Sequence, residues 1–168
     1  MAFHLVKIEP TLAAAAMSAG DVLFDSTEFK LPARCCRLVS VVLVDYKKKF
    51  VADDVEFIFH KDNAGGTFGT SGAAEALSSA NAKLNVPIGY SRVEGESFGQ
   101  FANFTMAQST LASASNDETA SGSVILERDH TDQKIYVMGR IDAVSTAGTP
   151  AGTNADGAEL CIYLGFES

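Results

Sequence analysis

The sequence predicts an all-β domain, a sandwich or jelly roll of about eight short strands with one short helix, and three observations lead there. Apolar and polar residues alternate with period two in short segments. Clusters of Gly, Asn, Asp and Ser separate those segments. Helix-forming composition is confined to one short stretch, too little for the crossovers of a parallel sheet. Regular internal repeats are not visible, which argues against a propeller or solenoid. A chain of 168 residues fits one domain. We divide it into residues 1–20, an N-terminal arm or first strand plus connector, and residues 21–168, the sandwich.

In chain order, residues 3–9 (FHLVKIE) read as a first strand or a docking arm, and residues 21–24 as a short extended piece. Residues 37–46 (RLVSVVLVDY) are almost continuously apolar and predict a central strand covered on both faces. Residues 55–60 (VEFIFH) alternate sharply, so Val55, Phe57 and Phe59 should point into the core. Residues 61–72 carry Gly65, Gly66, Gly69 and Gly72 and must be loop. Residues 73–79 (AAEALSS) combine Ala, Glu and Leu and predict the helix. Residues 87–94 and 98–106 predict two strands, joined around Gly95 and Glu96. Residues 108–122 are a polar surface connection. Residues 123–127 and 134–142 predict a hairpin about a polar turn at 128–132. After a second loop at 143–157, residues 158–167 (AELCIYLGFE) place Leu160, Ile162, Leu164 and Phe166 on one face.

Charge narrows the function classes. A net charge of −8 with pI near 4.8 argues against a nucleic-acid groove, which needs clustered Lys and Arg. The one basic run, Lys47, Lys48 and Lys49, reads as a solvated strand end or hairpin tip. No apolar run approaches the roughly 18 residues that span a bilayer, so no membrane partner is expected. Residues 12–17 are apolar but lack the basic flank of a secretion signal, which predicts synthesis in the cytoplasm. Cys35 and Cys36 are adjacent, with Cα atoms about 3.8 Å apart against the 4.4–6.8 Å of a relaxed disulfide. Pairing one of them with Cys161 would leave an odd thiol, so reduced cysteines are the simpler reading.

Catalytic chemistry finds no foothold. His4, His60 and His130 have no second His or Cys at ligand spacing. His60 with Asp62 resembles the start of a metal clip whose further ligands are missing. Asp53, Asp54 and Glu56 lack the spacing of a calcium loop, and the 65–69 glycines lack the Lys of a phosphate loop. Gly69-Thr70-Ser71-Gly72 misses the spacing of a nucleophile elbow. The chain is therefore expected not to be an enzyme, with no catalytic residue, no metal and no cofactor.

The order of segments carries a resemblance. It lies in residues 20–29 (GDVLFDSTEF) ahead of residues 37–45, then residues 55–63 (VEFIFHKDN), 74–80 and 88–90, and the strands at 134–141 (KIYVMGRI) and 161–166 (CIYLGF). In these the chain resembles the small β-rich cement or decoration proteins of tailed bacteriophage virions, over most of its length but through generic motifs. The His60-Lys61 pair departs from that pattern. The resemblance implies a structural protein on the capsid surface that bridges subunits of the major capsid protein and forms a homo-oligomer, trimer or dimer. It implies no catalytic residue. The expected contacts are Phe3, Leu5, Val6 and Ile8 of the N-terminal segment, Phe68 of the first long loop and Asn116 of the second. Long loops on a rigid β scaffold often carry binding. The alternative from another class is a receptor- or carbohydrate-binding sandwich of a phage tail or fibre. The absence of Trp and the presence of only four Tyr weigh against a sugar-stacking platform.

Overall fold

The structure, a computed structural model, describes residues 2–49, 53–110, 124–128, 133–143, 154 and 157–168. It contains ten strands in two antiparallel sheets and one short helix. The strands are β1 (Phe3–Ile8), β2 (Val22–Lys30), β3 (Cys35–Asp45), β4 (Asp54–His60), β5 (Pro87–Val93), β6 (Gly99–Gln100), β7 (Thr105–Thr110), β8 (Val124–Glu127), β9 (Lys134–Ala143) and β10 (Leu160–Glu167). Helix α1 spans Ser79–Asn85.

One sheet runs β1-β10-β3-β7-β6, with β8 also pairing β3; the other runs β2-β9-β4-β5. Strand β1 abuts β2 at one margin, and β5 abuts β7 and β8 at the other. Thus β1, β10, β3 and β7 or β8 lie across from β2, β9, β4 and β5, and the chain changes sheet at six of its nine steps. That is the winding of a jelly roll. Its interior is the sum of the inward faces of both sheets. Leu38, Val41 and Leu43 of β3, and Leu160, Ile162, Leu164 and Phe166 of β10, face Val55, Phe57 and Phe59 of β4 and Ile135, Val137 and Ile141 of β9. Phe29 sits at the centre, stacked on Phe166 at 6.2 Å and edge-on to Phe59 at 6.4 Å. Gly139 lets the Phe24 ring lie flat on β9; a Cβ there would fall 2.2 Å from Phe24 Cε1.

Four expectations need correction. The helix is not at 73–79, where the Ala73 carbonyl accepts from Val22 N–H, Ala74 bridges Asp21 and Ala76 N–H donates to Phe68. These non-local backbone bonds outweigh a modest helical propensity. The helix starts instead after Ser78, whose hydroxyl accepts from Asn81 N–H. Residues 98–106 are not one strand, because the chain reverses between β6 and β7 with a Phe101 N–H bond to the Phe104 carbonyl. Strands β8 and β9 are not a hairpin: β8 pairs β3 in one sheet, while β9 lies between β2 and β4 in the other. The described residues hold ten strands where about eight were expected, since the extended piece at residue 21 grows into the nine-residue β2 and the chain reversal adds one more.

The polar turn at 129–132 and most of the connections at 111–123 and 144–156 lie outside the described residues. Cys35, Cys36 and Cys161 are free thiols, Cys35 exposed and the other two buried. Lys47, Lys48 and Lys49 are exposed in the turn after β3, where Asp45 Oδ1 accepts from Lys47 N–H.

Candidate functional site

The N-terminal segment is a sheet strand. Strand β1 pairs β10 over six consecutive residues without a register break. Period-two alternation then sorts its side chains. Ile8 is buried and Val6 is packed against the core, whereas Phe3 and Leu5 remain 74% and 68% exposed on the outer face. Of the four N-terminal residues expected to make contacts, two are available at the surface. Phe68 is also interior: it anchors a small second core with Val22 and Met138, over which residues 61–78 fold as a cover for the four-stranded sheet. Loops with a buried aromatic anchor are held, not free. Asn116 lies outside the described residues.

The feature that sequence reasoning missed is an aromatic corner at the opposite margin of the six-stranded sheet. The reversal between β6 and β7 stacks Phe101 on Phe104, with ring centroids 4.6 Å apart and planes 16° from parallel. Tyr46, just past the end of β3, tilts against Phe104 at 6.3 Å. Met106 pairs in register with Gly99, next to the Phe101 ring. Phe101 is 47% exposed, and Tyr46 and Met106 are partly so. The available signal was the Ala-Asn dipeptide between two Phe, since Asn favours turns.

The outer face of the four-stranded sheet is different. Glu56 accepts from Arg140 Nε at 2.8 Å and from the Tyr90 hydroxyl at 2.7 Å. Arg92 reaches Asp54 at 2.5 Å and Asp142 at 3.0 Å. Burial, then the Glu56 carboxylate beside it, pushes the Tyr90 hydroxyl up to about 12. Asp54, Glu56, Arg92, Arg140 and Asp142 are thus each paired with opposite charge, which makes this part of the face an ionic lattice.

His60 is fully buried, with its ring stacked on Tyr136 at 5.4 Å and near Phe68 at 5.0 Å. Its Nε2 lies 3.1 Å from Ser26 Oγ and its Nδ1 lies 2.8 Å from the Asp62 carbonyl. Both nitrogens that a metal would need are occupied within the protein. Among the described residues no group of three or more His, Cys, Asp or Glu side chains converges on a metal position. No helix there is long and apolar enough to cross a membrane. A cavity of about 320 Å³ opens between the N-terminal connector and the first long loop, walled by Thr11, Leu12, Asp25, Thr67, Thr70 and Ser71.

No family model matches the chain, and no curated protein matches it either.

Proposed function

We propose that this protein is a non-catalytic component of a virus particle, a jelly-roll module that binds the outside of a capsid and stabilises it by bridging major capsid protein subunits. The aromatic corner carries the reading. Tyr, Phe and Met are the residue types that concentrate at protein interfaces. Here three of them, with Phe104, form one partly exposed patch on a rigid sheet margin. The resemblance in segment order supports the same reading, as does the jelly roll, an architecture frequent in capsid components. A stable contact of this type buries roughly 1,200–2,000 Å², so the corner would be the centre of a larger footprint. Repetition over symmetry-related sites then multiplies a modest contact into a strong one.

Co-sedimentation with capsid shells of the virus that encodes the chain tests the proposal. Native protein is expected to bind the shells and raise their rupture temperature. A Tyr46→Asp, Phe101→Asp protein with an unchanged circular-dichroism spectrum should not bind. Undiminished binding by that variant removes the corner from the interface; no binding by native protein refutes the capsid reading.

The cavity beside Asp25 favours a second reading, a receptor- or carbohydrate-binding module of a tail or fibre. Its volume is at the low end for ligand sites, and its Thr and Ser hydroxyls and single carboxylate suit a polyhydroxylated ligand. A glycan array decides between the two: specific retention that Asp25→Ala abolishes favours the second.

A further inference from the structure

We infer that two copies of this chain join edge to edge through β1, in antiparallel register about Leu5, to form a two-fold dimer with one continuous sheet. The argument begins with the backbone. Ala2 and Ser168 exchange both of their hydrogen bonds, each N–H donating to the other's carbonyl at 3.1 Å. In an antiparallel ladder such pairs recur at every second residue. His4, Val6 and Ile8 therefore bond to β10, and the N–H and C=O groups of Phe3, Leu5 and Lys7 point away from the sheet. Three consecutive odd positions thus present backbone groups with no partner among the described residues along a regular strand.

The margins at β2, β5 and β6 are blunted, and the further edge at β8 is only four residues long. Strand β2 breaks register with β9 twice, β5 opens on Pro87, and β6 has only two residues. Such devices discourage edge pairing. Strand β1 lacks them, and its outward side chains at positions 3 and 5 are apolar and exposed.

The occupant that fits is a second β1. Set antiparallel with Leu5 opposite its own copy, the strand brings Phe3 opposite Lys7 and Lys7 opposite Phe3. All three outward positions then fall in hydrogen-bonded pairs, so every free N–H meets a free carbonyl. Directly opposed residues share a face: the two Leu5 side chains touch, and each Lys7 stem lies along the partner's Phe3. The net charge of −8 opposes self-association in general. At this edge, however, Lys7 is ion-paired with Glu9, and behind it Glu167 of β10 with Arg37 of β3, so the approaching surface is locally neutral.

The pairing stands on strand geometry alone; one consequence rests on the capsid reading. The two-fold axis keeps the outer faces of both sheets on the same side. The aromatic corners, at the margins away from β1 and several residues along the strands from Leu5, then lie about 50 Å apart by ordinary strand spacing and rise. A bridging protein needs two contact points facing one way.

Sedimentation equilibrium of the full chain over a concentration series tests the inference without any particle present. Native protein should reach twice its 17.7 kDa mass. Leu5→Lys sets two ammonium groups face to face and should weaken the dimer at least roughly tenfold, with an unchanged circular-dichroism spectrum. Register is read by oxidation in a Cys35→Ser background. Opposed Cα atoms in hydrogen-bonded pairs lie about 5.5 Å apart, within disulfide range. The Leu5→Cys protein should cross-link to itself, and the Lys7→Cys protein only when mixed with Phe3→Cys. A native chain that stays monomeric, a dimer indifferent to Leu5→Lys, or self-linking at position 7 as ready as at position 5 would each overturn it. None of these results bears on capsid binding by the aromatic corner.

Discussion

Replacing Asn154 with alanine removes four hydrogen bonds and a favourable backbone fit in one step. Asn154 is almost fully buried between the N-terminal connector and the start of β10. Its Nδ2 donates to the carbonyls of Pro10 at 2.7 Å and Leu160 at 2.8 Å, and its Oδ1 accepts from the N–H groups of Glu159 at 2.9 Å and Leu160 at 2.8 Å. It also holds φ at +60°, the left-handed region that Asn tolerates and Ala does not. With about 1 kcal/mol net for each bond and about 1 kcal/mol for the backbone, Asn154→Ala should cost roughly 4–5 kcal/mol. That is a large share of the 5–15 kcal/mol typical of a domain. For a chain of this length it corresponds to a fall in Tm of about 10–15 °C. Asn154→Gly keeps the backbone conformation and should recover about 1 kcal/mol of the loss. Asn154→Asp retains the acceptors but faces two carbonyls with a carboxylate, and should be no better than alanine. Urea denaturation read by circular dichroism measures all three. An alanine protein within about 1 kcal/mol of native would refute the view that this side chain ties the connector, and with it β1, to the closing strand.

Two further predictions concern pH. Burial, the dominant cause, holds His60 below its ordinary value of 6.5 against the smaller pull of the Asp62 carbonyl. As pH falls through that region the unfolded chain takes up a proton that the folded chain refuses. This contribution is fully present above 6.5 and is lost on the acid side. Urea midpoints at stepped pH should show that slope, and His60→Gln should flatten it; an equal slope in the variant would reject the assignment. Tyr90 moves the other way, from 10 in the unfolded chain to about 12 in the fold. The stability it contributes is present below pH 10 and lost as pH rises through about 12. Ultraviolet titration of tyrosinate should show a late-ionising group near 12 that Tyr90→Phe removes while the raised Tyr46 hydroxyl remains, and its survival in that variant would assign it to another tyrosine.

The alternation at Val55, Phe57 and Phe59, and at Leu160, Ile162, Leu164 and Phe166, was legible because period two on one face is a local property. All seven side chains are buried where the pattern places them. The exposure of the N-terminal segment was legible only in part: the expected contacts were Phe3, Leu5, Val6 and Ile8 together, and strand geometry leaves Phe3 and Leu5 exposed while turning Val6 and Ile8 to the core. Phe68 was not legible, because a single Phe among glycines says nothing about what it covers. It is buried by Met138 and Val22, which are distant in sequence. The aromatic corner was hidden by a reversal after Phe101 that converts an apparent strand into a stacked pair.

By itself, then, the sequence determined the class of the fold, the faces of its long strands and the acidity of its surface, all set by neighbouring residues or by composition. Only tertiary structure decided that β8 and β9 part into different sheets and that β1 stands last in its sheet among the described residues. Those outcomes depend on which distant backbone offers the better partner, and partner choice is fixed by the packing of the whole chain.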